Sequence, residues 1–238
     1  MLRWGWMPVL SVLSGMLLLA GCSSSESGGG TGGAPPTSSD AGAPPAAPSS
    51  TEVTAPAGGD KTAATGASRI VISTSMGDIK AELYPDKAPA TVKNFLEYVS
   101  KGHYTGTIFH RVIPTFMIQG GGYTEKMEEK PTGPGVKNEG GNGLKNERGT
   151  LAMARTSDPD SASAQFFINV VDNAFLNKDE NPDGFGYAVF GKVTEGLEIV
   201  DKIRNVETGV TDTPQGPMQD VPKSAVVIKS IKVDGAGK

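Results

Sequence analysis

A sharp change in composition near residue 67 limits how much of this 238-residue chain can fold. Of the 45 residues from 23 to 67, 39 are Gly, Ala, Ser, Thr or Pro, and Val53 is the one large aliphatic side chain. Such a segment buries too little apolar surface to offset the entropy lost on ordering, so we expect a disordered tether over residues 22–67. This tether either spaces the folded part of the chain, residues 68–238 and here called the head, from a bilayer or is a tolerated low-complexity spacer. About 170 residues remain in segment 68–238, enough for one domain with a hydrophobic core.

Residues 1–21 have the layout of an export signal. Arg3 precedes an apolar stretch that is too short, and too interrupted by Pro8 and Gly15, for a stable membrane span. The sequence LLLAGC at 17–22 resembles the cleavage site of bacterial lipoproteins, which implies removal of residues 1–21 and acylation of Cys22. Cys22 is the only cysteine, so it cannot form an intramolecular disulfide. The alternative is an ordinary secretory signal followed by a stray thiol.

An acylated Cys22 would determine where the head works. Several acyl chains on one residue give stable anchoring, whereas one chain is marginal. We therefore expect a lipid-anchored protein whose head lies in the periplasm or cell envelope of a bacterium. Ser23 follows the cysteine in place of the aspartate that commonly retains lipoproteins in the inner membrane, which slightly favours the outer membrane.

Charge and missing motifs narrow the function of the head. Two of the 22 basic and four of the 26 acidic residues precede residue 68, so the net charge of the head is about −2. The head also has no run of basic residues. This argues against nucleic acid as the main partner. There is no HExxH, CxxC, GxSxG or Walker pattern, and we interpret His103 as a helix-end residue and His110 as structural. Any catalysis is therefore expected to need no metal, cofactor or covalent intermediate.

The hydrophobic pattern of the head predicts many short strands and two helices. Strands are predicted at 69–73, 77–83, 107–113, 116–119, 150–154, 165–169, 188–192 and within 224–233, with helices at 89–102 and 196–206. A long Gly/Pro-rich loop is predicted over residues 120–146. These elements favour an antiparallel sheet closed into a barrel and capped by helices.

The stretch FHRVIPTFMIQGGGY, residues 109–123, places Arg111 inside an apolar strand. A guanidinium keeps its charge and is costly to bury without a partner. Arg111 is therefore either neutralised by a carboxylate or placed at the edge of an apolar cleft, where it can donate hydrogen bonds to a neutral ligand.

Four motifs identify the family that the head is similar to. FHRVIPTFMIQGG together with GTLAMART, SAQFFINV and FGYAVFGKV resembles the cyclophilin family of peptidyl-prolyl cis-trans isomerases, especially the periplasmic type of Gram-negative bacteria. The resemblance covers nearly all of residues 69–234. It implies a mainly β fold, a closed eight-stranded antiparallel barrel capped by two α-helices. It also implies rotation about X–Pro bonds in proline-containing segments of exported proteins, without a cofactor, by a head that we expect to be monomeric.

The resemblance also implies roles for particular residues. Arg111 matches the catalytic arginine, and we expect Gln119 to orient it. The positions implied to bind substrate are Phe116, Met117, Ala154, Arg155, Gln165, Phe167, Phe175, Leu176 and Tyr187. Without the resemblance, Arg111 could be a paired structural residue, and Phe167 and Leu176 could be core residues.

Two departures from the family pattern and two other functions stay open. Phe175 stands where many eukaryotic members have tryptophan, which should weaken cyclosporin-type inhibitors, and Tyr187 stands where histidine is frequent. The acidic loop 178–185 either tunes specificity or is simply solvated. The head could also be a proline-peptide-binding module or holdase without significant turnover, or a surface adhesion lipoprotein that uses the same barrel.

Overall fold

The computed structural model describes residues 69–235. The expected signal peptide, Cys22 and the tether therefore lie outside the described residues. Within residues 69–235, no helix is both long enough and apolar enough to cross a membrane.

Ten strands and two α-helices are formed within the described range. The strands are β1 (Arg69–Thr74), β2 (Gly77–Leu83), β3 (Thr107–Ile113), β4 (Met117–Thr124), β5 (Thr150–Met153), β6 (Phe166–Asn169), β7 (Val189–Glu195), β8 (Thr208–Thr213), β9 (Gly216–Pro222) and β10 (Val227–Val233). The helices are α1 (Pro89–Ser100) and α2 (Leu197–Arg204), and single 3₁₀ turns lie at Pro159–Ser161 and Ala174–Leu176.

Eight of these strands close a barrel in the order β1-β10-β3-β4-β6-β5-β7-β2, and β8 and β9 form a separate hairpin. Neighbouring strands in the barrel pair antiparallel. The expected fold, a closed eight-stranded antiparallel barrel with two helices, is confirmed.

Helix α1 carries the apolar stripe that its spacing predicted. It begins at Pro89, which suits the first helical turn because an N–H there has no partner within the helix. Val92 and Phe95 are buried in the barrel core. The carboxylate of Glu139, from a distant loop, accepts a hydrogen bond from the Thr91 N–H at 2.8 Å and so caps the helix.

Strand β3 changes the face that its side chains occupy halfway along its length. Phe109 and Val112 both lie in the barrel core, although an odd and an even position cannot share a face of a regular strand. The pairing with β4 shifts at this point, because Phe109 pairs with Gly120 whereas Arg111 pairs with Gln119. This irregularity is a β-bulge, which inserts one residue and resets the alternation. Arg111 is thereby turned out of the core.

The loop predicted over residues 120–146 starts later in the structure than predicted. Strand β4 continues through three glycines to residue 124. A Cβ on Gly120 would lie 2.9 Å from a ring carbon of Phe109, and one on Gly122 would lie 2.6 Å from the Gln165 side chain. These glycines permit close approach within a sheet. The loop prediction is wrong there because glycine marks both loops and tightly packed strands.

The β8–β9 hairpin was not predicted from the sequence. Val221 of β9 is buried against Ile108 and Tyr123, so the hairpin covers the outer side of β3 and β4. Most other side chains of the hairpin are partly or fully exposed, which leaves only a weak hydrophobic alternation.

Candidate active site

One surface cavity of about 250 Å³ collects nine of the eleven side chains that the sequence proposed for catalysis and substrate binding. They are Arg111, Phe116, Met117, Gln119, Ala154, Arg155, Phe167, Leu176 and Tyr187. The other two, Gln165 and Phe175, lie next to this set but do not line the cavity.

The floor of the cavity is apolar and well packed. Met117, Phe167 and Leu176 are nearly fully buried and form a cluster separate from the barrel core. The ring of Tyr187 meets that of Phe167 edge-on, with the centroids 5.8 Å apart. An apolar ring of the size of proline could pack against this apolar floor and against the aromatic ring beside it.

Arg111 stands at the cavity with its side chain 42% exposed. Asp220 Oδ2 lies 3.9 Å from Arg111 Nε, which is beyond hydrogen-bond distance, and the Asp220 side chain is itself 40% exposed. Both arrangements that the sequence allowed for Arg111 are therefore present in part. The guanidinium borders an apolar cavity, and a carboxylate lies near it without a hydrogen bond.

Gln119 faces Arg111 across the β3–β4 ladder, and the amide nitrogen of its side chain is bonded to a different residue. Its Nε2 donates a hydrogen bond to Gln165 Oε1 at 2.9 Å. Within residues 69–235 no hydrogen bond joins Gln119 to Arg111. An arginine only donates hydrogen bonds, so orientation by Gln119 would use Gln119 Oε1, which the bond to Gln165 leaves available, and this role of Gln119 stays a prediction.

Arg155 differs from Arg111 because its charge is used within the protein. Its side chain is 3% exposed and forms an ion pair with Asp183. Nε donates to the Gly186 C=O at 3.1 Å, and the guanidinium carbon lies 4.4 Å from the centroid of the Tyr187 ring. Arg155 thus ties the acidic loop 178–185 to the cavity wall, and Arg111 is left as the less engaged cation of the cavity.

Phe175 extends the aromatic surface beyond the cavity. Its side chain is 52% exposed, and its ring centroid is 5.4 Å from that of Phe116. Because Phe116 lines the cavity, a peptide that leaves the cavity on this side would pass over Phe175.

A buried asparagine network that supports the cavity was missed in the sequence. Asn173 Nδ2 donates to the Phe116 C=O at 2.9 Å and to Asn169 Oδ1 at 2.7 Å. Asn169 Nδ2 in turn donates to Asn146 Oδ1 at 3.1 Å. All three asparagines are at most 2% exposed. The sequence feature that could have indicated this network is Asn169 at the end of an apolar strand, because an amide buried there requires hydrogen-bond partners.

His110, next to Arg111 in the chain, is a buried structural residue with a consequence for stability. It is 2% exposed, and no described residue accepts from or donates to its Nδ1. Burial, assisted by the positive charge of Arg111, lowers the pKa of His110 from 6.5 to about 4.

We expect the protein to lose stability as the pH falls from about 6.5 to 4. The unfolded chain binds a proton at His110 in this range and the folded protein does not, which destabilises the folded state by about 3 kcal/mol over the full interval. Urea unfolding at pH 7 and pH 4.5 measures the change, with His110→Gln as the control that removes the titrating ring. An equal pH dependence in the variant and the wild type would contradict this assignment.

The side chains that line the cavity set what chemistry it can do. Within the described part of the chain, no three His, Cys, Asp or Glu side chains converge as a metal site would need. What the cavity offers is an apolar floor, an aromatic wall and a positively charged donor at the edge. This set can bind an apolar ring and stabilise electron density that develops beside it.

Comparison with known proteins connects this geometry to a family. Residues 69–233 match the family described as "Cyclophilin type peptidyl-prolyl cis-trans isomerase/CLD". The chain is 55% identical over 171 residues to peptidyl-prolyl cis-trans isomerase A of Dickeya dadantii (strain 3937), covering 72% of this chain and 87% of that protein. It is 56% identical over 165 residues to peptidyl-prolyl cis-trans isomerase B of Escherichia coli (strain K12), covering 69% and 98%.

A solved structure gives the same result for the fold. The cyclophilin-type isomerase of Cryptosporidium parvum, determined in the presence of the dipeptide Ala-Pro, superposes with a TM-score of 0.56 at 30% sequence identity. The match covers 69% of this chain and 98% of that one.

Proposed function

This chain belongs to the cyclophilin family of peptidyl-prolyl cis-trans isomerases, and from that premise we propose that residues 69–233 act on exported proteins, held at a bacterial membrane through Cys22. The domain catalyses cis-trans isomerisation of X–Pro peptide bonds. Identity of 55–57% to named isomerases over most of their length is the observation that carries this function. The bound segment is proline-containing, in keeping with the Ala-Pro dipeptide present with the C. parvum relative.

The reaction requires loss of amide resonance, and the cavity suits that change. Rotation about the C–N bond faces a barrier of roughly 18–20 kcal/mol, because the planar amide is stabilised by resonance. A planar amide is more polar than a twisted one. An apolar site lined by Phe116, Met117, Phe167 and Leu176 therefore favours the twisted state over the planar state.

Arg111 supplies the second effect. When resonance is lost, the prolyl nitrogen regains its lone pair, and the guanidinium at the edge of the cavity donates a hydrogen bond to it. Because this electron density is present only near the transition state, the interaction lowers the barrier and does not merely tighten binding.

The two effects must act together. A millionfold acceleration would need about 8 kcal/mol. One hydrogen bond from a charged donor contributes about 1.5–3 kcal/mol. The apolar cavity and the positioning of the peptide backbone beside Ala154 supply the rest.

A protease-coupled assay on a short X–Pro peptide tests the function against the holdase alternative. The protease cleaves only the trans form, so the head should accelerate the slow phase of cleavage in proportion to its concentration. Binding of the peptide together with conversion at the uncatalysed rate would overturn the enzymatic function and leave a binding module.

The membrane anchor is supported by the sequence LLLAGC at residues 17–22 and by the Gly/Ala/Ser/Pro-rich segment that follows it. We expect Cys22→Ser to release the head from membranes into the soluble fraction, because the serine cannot carry the thioether-linked lipid that gives stable anchoring. Cell fractionation followed by immunoblotting measures the distribution. Ser25→Ala is the matched control and should stay with the membranes. Retention of the Cys22→Ser protein there would refute the lipid anchor.

A further inference from the structure

The β8–β9 hairpin brings one carboxylate to the guanidinium of Arg111. The 3.9 Å between Asp220 Oδ2 and Arg111 Nε allows charge attraction without a hydrogen bond. Within residues 69–235 this is the one ion pair that Arg111 makes. Nε is the edge of the guanidinium nearer the backbone, so the two Nη groups are not taken up by this pair.

Two departures from regular strand geometry create the contact. The pairing of β8 with β9 shifts between Gly209 and Thr211, which places one extra residue in β9 immediately before Val221. Asp220 lies in this bulge and has a φ of +60°, an uncommon value for a residue with a side chain. On the other side, the bulge in β3 lies just before Arg111, whose Nε is 3.9 Å from Asp220 Oδ2. Bulges re-aim side chains in this way beside active sites.

The position of Asp220 is fixed by its neighbour. Val221 is 5% exposed and packs with Ile108, which lies on the same strand as Arg111. The hairpin is thus attached to β3 three residues before the arginine. Because Val221 fixes the backbone beside Asp220, the carboxylate stays in place and can attract the side chain of Arg111.

We propose that Asp220 is a positioning residue for isomerisation: it attracts the Nε edge of Arg111 and so directs the Nη groups at the prolyl nitrogen. The inference rests on the proposed role of Arg111. Within residues 69–235 Gln119 makes no hydrogen bond to Arg111, whereas the Asp220 carboxylate lies close enough to attract its charge. Because the guanidinium is planar and rigid, placing one edge places the whole fork.

Asp220→Asn tests the proposal with little disturbance of the backbone. Asparagine has the same shape and tolerates a positive φ as well as aspartate does, so the substitution removes the charge alone. We expect kcat to fall about two- to fivefold with KM unchanged, as for an exposed ion pair whose effect is felt in the transition state. Asp220→Glu, which restores the charge, should recover part of the loss.

Asp212→Asn is the matched control. Asp212 is an exposed residue of β8 in the same hairpin and forms no ion pair within residues 69–235. Its substitution changes the net charge equally and should leave kcat at the wild-type value. An equal fall in kcat in both variants would show a general charge effect and overturn the proposal.

A double-mutant cycle separates positioning from a purely structural role. In an Arg111→Ala background, Asp220→Asn should cause no further loss of kcat, since there is no guanidinium left to direct. A loss of the same size in both backgrounds, or wild-type kcat in the single Asp220→Asn variant, would overturn the inference. If Arg111→Ala alone keeps wild-type kcat, the catalytic role proposed for Arg111 fails instead, and the two failures are distinguishable.

Discussion

Replacing Arg111 with alanine is expected to lower kcat/KM for a short X–Pro peptide by about 10- to 150-fold. The variant loses one charge-assisted hydrogen bond of about 1.5–3 kcal/mol, and each 1.36 kcal/mol corresponds to a tenfold change in rate. Residual acceleration should remain, because the apolar floor formed by Met117, Phe167 and Leu176 is untouched. The protease-coupled assay with wild-type and variant head measures the ratio.

Arg148→Ala is the control for removal of one arginine. Arg148 pairs with Asp201 Oδ2 at 2.7 Å and does not line the cavity, so its loss should leave kcat/KM unchanged. Arg111→Lys adds a second comparison, since lysine keeps the charge but lacks the planar fork, and its activity should fall between those of wild type and Arg111→Ala. Wild-type activity in Arg111→Ala would remove the arginine from the mechanism.

Replacing Phe166 with alanine is expected to lower the free energy of unfolding by about 3–5 kcal/mol, the usual cost of deleting a buried phenylalanine ring. Phe166 is fully buried in the barrel core. Its ring makes edge-on contacts with Phe95, Tyr104 and Phe109 at centroid distances of 5.6, 5.6 and 6.2 Å. These contacts join α1 to β3 and β6, so the cavity they leave cannot close without moving several elements.

Urea unfolding monitored by circular dichroism measures this change. Phe185→Ala is the matched control, because Phe185 is 49% exposed and its replacement should change stability by less than about 0.5 kcal/mol. A cost for Phe166→Ala as small as that of the control would mean that the aromatic cluster is not the centre of the core.

Local patterns in the sequence were sufficient to predict most strands of the barrel and its first helix. Alternation placed β1, β2 and β3 within a residue of their observed ends, and Pro89 and Gly102 bracketed α1. The ends of such elements are predictable because turn residues and a change of hydrophobic period mark them, even where a bulge shifts the alternation inside β3. Nine of the eleven proposed site residues share one cavity, because most of them lie on or beside the adjacent strands β3, β4, β6 and β5. Leu176 and Tyr187 reach the same cavity from the segment between β6 and β7.

The buried polar groups were not predictable in the same way. Asn169 bonds to Asn146, 23 residues away, and Asn173 bonds to the Phe116 carbonyl, 57 residues away. Arg155 is likewise neutralised by Asp183, 28 residues away. A sequence pattern shows that such a residue needs a partner but does not show which one it finds.

The sequence by itself determined that residues 69–235 form a β-barrel and that Arg111 has an apolar neighbourhood. Only the tertiary structure decided which way Arg111 faces. Alternation fixes a face only while a strand is regular, and the bulge between Phe109 and Arg111 resets it through pairing with the glycines of β4. The approach of Asp220 likewise depends on a hairpin whose exposed strands carry almost no hydrophobic signal. Both are properties of strand pairing between distant segments, which no local pattern encodes.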